Sequence, residues 1–387
     1  LQIKPSKKNL NKILNREIQF KLNAKLKKKF YEAFNRNTLR YKKNWKDIQK
    51  ENKLIFSKKF RSKFKDSLGK YWKINWNCVD HVNFLANPQG RSLGYHKIFD
   101  YYKNIIKKSN IADSLHFHFH PTSIKNFANT TGNHYFSNSN NLYQILCRRI
   151  IDRNWFPSVY RPGFHIENPD SNWFLEQFIP FDYSNQSCDQ VNLNNERFEN
   201  WNYAPRSWKP YHPSHDDYQK IGKSRRWIAR CLNVGTRIAL LTQKEVDKAF
   251  LEKKRNTKTI LAFTNHDFRF MEKDFENVYK MLKKSSQKYK VKFRFSDARD
   301  AFRNILKSPK KKLRFRVKFK KNKIFISSNK DIFGPQPFLA IKTKNKKYFH
   351  ENFFIKKPFR EWIYTFDRHN VDLIDLDTFG FAANDNN

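Results

Sequence analysis

Residues Leu115–Pro121 read LHFHFHP, and three histidines two positions apart are the densest chemistry in the chain. In a strand, alternate side chains share a face, so His116, His118 and His120 point one way and Phe117 and Phe119 the other. Neutral imidazoles are common zinc ligands, and a catalytic zinc takes about three protein ligands and leaves one position for water. A packing role asks one hydrogen-bond partner of a histidine and gives no reason for three in a row. The competing reading is a polar strand in a solvated cleft. Other reactive residues sit where apolar runs end. Asp80-His81 closes a run from Tyr71, and Arg161-Pro162-Gly163-Phe164-His165 follows the run to Tyr160. Asp182-Tyr183-Ser184-Asn185 follows the run from Phe178, and Asn265-His266-Asp267 follows Thr257–Thr264.

Those runs alternate with helical periodicity. The spacing predicts strands over Tyr71–Asp80, Ser114–Phe119, Pro157–Tyr160, Phe178–Asp182, Thr257–Thr264 and Val291–Phe295. It predicts helices over Gly94–Lys107, Asn141–Arg153, Met271–Lys288 and Ala298–Leu306. A short helix over Asn172–Gln177 takes Asp170 or Ser171 as its cap. Such alternation argues for parallel strands with crossover helices, hence an α/β layer or barrel over residues 71–308. In these folds the carboxyl ends of the strands line one crevice, where the reactive residues fall. Residues 1–70 carry Leu, Ile and Phe at helical spacing and read as a basic helical extension. Residues 185–256 read as loop-rich. Residues 309–387 read as a small β-rich domain opened by Leu313, Phe315, Val317 and Phe319 alternating with Arg314, Arg316, Lys318 and Lys320.

The chain of 387 residues holds 79 Lys and Arg against 35 Asp and Glu, a formal charge of +44. The excess is uneven. Residues 1–70 hold 23 basic and 5 acidic residues, and Lys307–Lys323 holds ten basic and none acidic, whereas residues 111–190 hold 5 basic and 7 acidic. The cationic ends suit an anionic surface. The near-neutral centre and the lack of a recognised nucleic-acid motif argue against a nucleic-acid-binding protein. An AT-rich coding bias explains much of the Lys, Asn, Phe, Ile and Tyr abundance. Hydrophobic residues at 39% exclude wholesale disorder. No apolar run is long enough to span a membrane, and no secretory leader opens the chain, which begins at Leu1 and reads as an N-terminally truncated piece. Four scattered cysteines, Cys78, Cys147, Cys188 and Cys231, read as reduced thiols, so the expected compartment is the cytoplasm.

The order Asp80, then His116-x-x-x-His120-Pro121, then Arg161-Pro162, then Asp182, then His266 resembles the polysaccharide deacetylase family of carbohydrate esterases. The resemblance covers about residues 72–306. It implies a distorted (β/α) barrel of fewer than eight strands that binds a divalent metal, zinc first, and removes N-acetyl or similar acyl groups from an amino-sugar glycan or its precursor. It implies metal ligation by Asp80, His116 and His120; His118, on the same strand face, is a further candidate ligand from the residues themselves. It also implies Asp80 as general base, Arg161 oriented by Asp182, and His266 as general acid. The family's first motif carries two adjacent aspartates, and here Asp80 stands alone. Either Asp80 is the ligand and the base is lost, or Asp80 is the base and the metal relies on the histidines. A deacetylase-like barrel that binds carbohydrate without turnover is therefore the alternative. Arg161 and Asp182 also suit an ordinary buried ion pair. Trp201, Tyr203, Trp208, Tyr211 and Tyr218 suit a wall for sugar rings or a cluster closing a loop. His212 and His215 read as loop-surface residues.

Overall fold

In the computed structural model, described for residues 6–18, 20–33, 42, 44–81, 95–121, 135, 139–165, 167–189, 201–235, 239–307 and 312–385, the chain opens on short basic helices. These are α1 (Lys7–Leu14), α2 (Ala24–Ala33), α3 (Trp45–Ile55) and α4 (Lys58–Arg61). Asn44 caps α3 by accepting the Asp47 backbone N–H at 2.9 Å, and α3 buries Ile48, Asn52 and Ile55 on one face. From Trp45 onward the chain packs with the barrel rather than apart from it. Arg61 bonds Asp113 with two N–H groups at 2.9 and 2.6 Å and reaches the carbonyls of Ile55 and Trp72. Trp72 stacks on Phe295 at 4.6 Å and meets Phe275 edge-on at 4.5 Å.

Six parallel strands follow in one sheet, in chain order: β1 (Asn75–His81), β2 (Ser114–His120), β3 (Val159–Pro162), β4 (Phe181–Asn185), β5 (Trp227–Asn233) and β6 (Ala262–Thr264). The sheet curls into a half-barrel. Between and after its strands lie α5 (Tyr95–Ser109), α6 (Ser139–Ile151), α7 (Pro169–Phe178), α8 (Gln243–Lys254), α9 (Met271–Tyr289) and α10 (Ala298–Leu306). On one face of the sheet, Phe117, Phe119 and Tyr160 pack against Leu142, Ile145 and Leu146 of α6 and Phe174 of α7. On the other, Val159, Phe181, Tyr183, Ala229 and Cys231 pack against Ala298 and Phe302 of α10. Among the described residues no helix is long and apolar enough to cross a membrane.

The expected elements recur with differences: the strand expected over Thr257–Thr264 covers only Ala262–Thr264, and the one expected from Tyr71 begins at Asn75. Residues 185–256 contain β5 and α8, whose apolar runs are short and interrupted by Arg230 and charged residues. Residues 291–295 form no strand ladder among the described residues. Phe293 and Phe295 instead donate backbone N–H groups to Ser67 Oγ and Asp66 Oδ2. The fourth strand begins at Phe181, because Phe178 ends α7, which starts at Pro169 with Asn168 as its cap. Gly94, Lys310 and Lys311 lie outside the described residues.

The C-terminal β-region holds two antiparallel sheets. One joins β10 (Tyr348–Glu351), β9 (Phe338–Thr343) and β13 (Leu376–Ala382). The other joins β11 (Phe354–Lys357), β12 (Glu361–Thr365), β8 (Lys323–Ser328) and β7 (Phe315–Lys320). Ile324, Ile326, Leu339, Ile341, Trp362 and Tyr364 form their shared core. Phe338, Ala340 and Tyr348 join the cluster around α6, which is covered on both sides. The approach is close: a Cβ on Gly334 would stand 1.7 Å from the Gln177 carbonyl oxygen of α7.

Candidate functional site

Strand parity decides which reactive side chains can meet. The parallel register sets His118 beside Arg161 and Phe119 beside Pro162, so His118, His120 and Arg161 share the concave face. The same register pairs Asp80 with Phe119 and Tyr160 with Asp182, which puts both aspartates on the helix-covered face. Asp80 accordingly accepts from Arg149 of α6 at 2.7 Å, with Asp80 1% and Arg149 0% exposed. Burial pushes its carboxyl up to about 6, against the pull of Arg149. Asp182 pairs with Arg226 at 2.5 Å, and Arg226 also holds Glu167 at 2.7 Å and Asn172. Burial and the nearby Glu167 hold Asp182 well above the usual carboxylate range. The structure thus leaves Asp80 away from the histidines, and Arg161 and Asp182 on opposite faces without a bond between them.

Rise along the strand separates the histidines themselves. At roughly 3.3 Å per residue, His116 lies about 13 Å along β2 from His120. His116 faces the floor of the half-barrel, where Nε2 meets Ser114 Oγ at 2.8 Å and Asn75 Oδ1 at 2.9 Å. Asp297 Oδ2 stands 3.5 Å away. Asp297 caps α10 by accepting the Asp300 N–H. Burial acts to raise its carboxyl, but the bonds from His116 and Ser114 hold it well below the usual range.

His118 and His120 stand together at the mouth. Their Nε2 atoms are 3.0 Å apart. His118 Nδ1 lies 2.7 Å from the Arg161 carbonyl oxygen. A carbonyl only accepts, so Nδ1 carries the proton and Nε2 presents a lone pair toward His120. A ring N–H tied to a backbone carbonyl is the second contact that orients metal-ligating histidines. Gly163 makes room for the pair, since a Cβ there would lie 2.4 Å from His120 Cγ.

Past Gly163 the chain makes one turn and returns through His165, whose φ of 61° is unusual for a residue with a side chain. The Trp201 indole N–H holds that turn by donating to the His165 carbonyl at 2.8 Å. Arg161 Nη2 stands 2.8 Å from His165 Nδ1 and 3.3 Å from its Nε2, while Arg161 Nη1 donates to the Tyr183 carbonyl at 2.8 Å. Burial first, then the charges of Arg161, His266, His118 and His120, keeps His165 neutral well below the usual histidine range. His266, two residues after β6, is exposed and stacks on Phe268 at 4.7 Å. The sequence marks His165 among the reactive residues after Tyr160 but assigns it no role. Its signal was its place four residues after Arg161, beyond a Pro-Gly turn.

The aromatic loop closes on itself. Trp201, Ala204, Tyr211, Tyr218 and Ile228 form a buried cluster, and Trp208 is enclosed, with its indole N–H on the Glu245 carbonyl. Tyr203 alone of the five aromatics is exposed, at 80%. His212 lies against Trp227 and His215 against Trp173, both outside the mouth.

Among the described residues, no three His, Cys, Asp or Glu side chains are arranged around one metal position. Comparison with protein-family models, with curated proteins and with solved structures returns no match to this chain.

Proposed function

We propose that the barrel mouth is a metal-assisted hydrolytic site that removes an N-acetyl or similar acyl group from an amino-sugar glycan. The observation that carries this reading is the His118–His120 pair, with Nε2 atoms 3.0 Å apart and His118 Nδ1 tied to a carbonyl. Two nitrogens bound to one zinc at about 2.0–2.1 Å stand roughly 3.0–3.4 Å apart at right to tetrahedral angles, so the donor set fits a divalent ion. When bound, such an ion polarises an amide carbonyl and makes water a stronger acid.

The chain's own residues supply the rest. Arg161 holds the His165 ring through Nη2 and the position of His118 through its carbonyl. His165, kept neutral by burial, donates a hydrogen bond from its ring N–H to negative charge developing on an acyl oxygen. The exposed imidazole of His266 takes the proton that the attacking water loses and returns it to the departing amine. Asp80 and His116 hold structure, the first tying α6 to the sheet and the second tying α10 to the floor.

A carbohydrate-binding barrel without turnover is the second reading. The bond of Asp80 to Arg149 favours it, because that bond withdraws the acid of the first motif from the mouth.

The test is acetate release from N-acetylglucosamine oligomers by metal-depleted protein with and without added zinc. Restored turnover in the natural chain and in His116→Gln, lost in His118→Ala and His120→Ala, supports the hydrolase. Oligomer binding with no acetate released under any metal supports the second reading.

A further inference from the structure

The C-terminal sandwich carries a feature that the barrel site does not use. Arg314 and the β7 residues Arg316, Lys318 and Lys320 alternate along one edge strand, and all four are exposed. Pairing with β8 fixes their direction. Val317 and Phe319, themselves partly exposed at the edge, pair with Ile326 and Ile324 of the buried sandwich core, so the four cations stand on the opposite, outer face. Alternate residues of a strand are about 6.7 Å apart, which makes a straight ladder of charge roughly 20 Å long. Among the described residues none of the four forms an ion pair. The sequence from Lys307 to Lys330 holds no acid at all.

We propose that this ladder holds an extended anionic polysaccharide, a sugar chain carrying carboxylate or phosphate groups. The choice of a glycan over other polyanions rests in part on the reading of the barrel site. Two observations on the face itself support it. A row of unpaired cations at regular spacing matches a linear polymer with repeating charge, and such association gains by counterion release. Single-stranded nucleic acid asks for successive aromatic platforms. Every outward position from Arg314 to Lys320 is a cation, and of the two aromatics on this face, Phe325 is half-buried and Phe354 lies on β11, at the far edge of the sheet.

The same charges also guard an edge strand against pairing with another copy of the chain. That role needs no ligand, and the experiment separates the two.

Binding of the full chain to short polygalacturonate oligomers, to neutral dextran oligomers of equal length and to oligothymidylate is measured across a salt series. The natural chain is compared with Arg314→Gln/Arg316→Gln/Lys318→Gln/Lys320→Gln. A control, Lys253→Gln/Lys254→Gln/Arg255→Gln/Lys258→Gln, removes four exposed charges at the end of α8. The proposal expects polygalacturonate affinity to fall about tenfold or more, and the log–log salt slope to drop by about three, in the ladder variant alone. Equal losses in both variants would assign the effect to net charge and overturn it. So would tighter binding of oligothymidylate than of polygalacturonate, no binding of polygalacturonate, or self-association of the ladder variant with unchanged affinity. Acetate release from short neutral oligomers reports on the barrel mouth and not on the ladder, so failure of one reading leaves the other measurable.

Discussion

Replacing Arg149 by Met removes the partner of a carboxylate that is 1% exposed. Arg149 Nη2 bonds Asp80 at 2.7 Å, and its guanidinium also covers the Phe99 ring at 3.9 Å. Breaking one side of such a pair leaves a buried charge or forces it to take up a proton, and costs about 3–5 kcal/mol. Against a total stability of about 5–15 kcal/mol, that loss is visible as an early urea transition. Asp80→Leu is expected to cost a similar amount. The double variant Asp80→Leu/Arg149→Met is expected to lie at least about 2 kcal/mol above the sum of the two losses, because apolar groups of similar volume replace the pair. Zinc binding by Asp80→Asn should equal that of the natural chain. If Asp80→Asn loses zinc while keeping its urea midpoint, Asp80 reaches the mouth and the parity argument fails.

Three further outcomes follow from single contacts. Gly163→Ala drives a methyl group into the His120 ring, so zinc affinity should fall at least about tenfold by calorimetry, with a stability loss of about 1–3 kcal/mol. His350 sits between Phe338, Phe178 and Tyr143, and burial lowers its pKa to about 4, against the pull of a bond to the Leu339 carbonyl. The unfolded chain binds that proton near pH 6.5 and the folded chain refuses it until about pH 4. Stability is therefore lost as pH falls through this window, by up to about 3 kcal/mol. His350→Phe should remove that part of the acid dependence in urea titrations from pH 7 to about 4. Unchanged acid dependence would mean that His350 is solvated. His116→Gln should lower thermal stability while leaving zinc bound, since Asn75, Ser114 and Asp297 hold it at the floor.

The periods of the apolar pattern made the barrel largely legible. Alternation in LHFHFHP placed the three histidines on one face, and the parallel register bears that out. Alternation says nothing about distance along a strand, however. One period of two residues joins His118 and His120 at the mouth, and one more carries His116 to the floor. The HxxxHP pattern that drew attention to His116 and His120 therefore joins opposite ends of a strand. The face on which Asp80 and Asp182 lie depends on strand register, which no local pattern carries. Arg149 and Arg226, their partners, come from a helix and from the residue before β5, 69 and 44 positions away in sequence. The strand β5 was hidden because Arg230 interrupts its apolar run, and that charge is satisfied by distant partners, Glu245 at 2.6 Å, the Ser187 carbonyl and the Trp208 ring. Conversely, the alternation at 291–295 served packing against Trp72 and no ladder.

X-ray absorption at the zinc edge of reconstituted protein tests the central claim most directly. The account expects one zinc per chain with two imidazole nitrogens at about 2.0–2.1 Å. It expects that signal to vanish in His118→Ala and in His120→Ala and to persist in His116→Gln and Asp80→Asn. A chain that takes up no zinc, or one whose zinc signal depends on His116 or Asp80 instead, would contradict it.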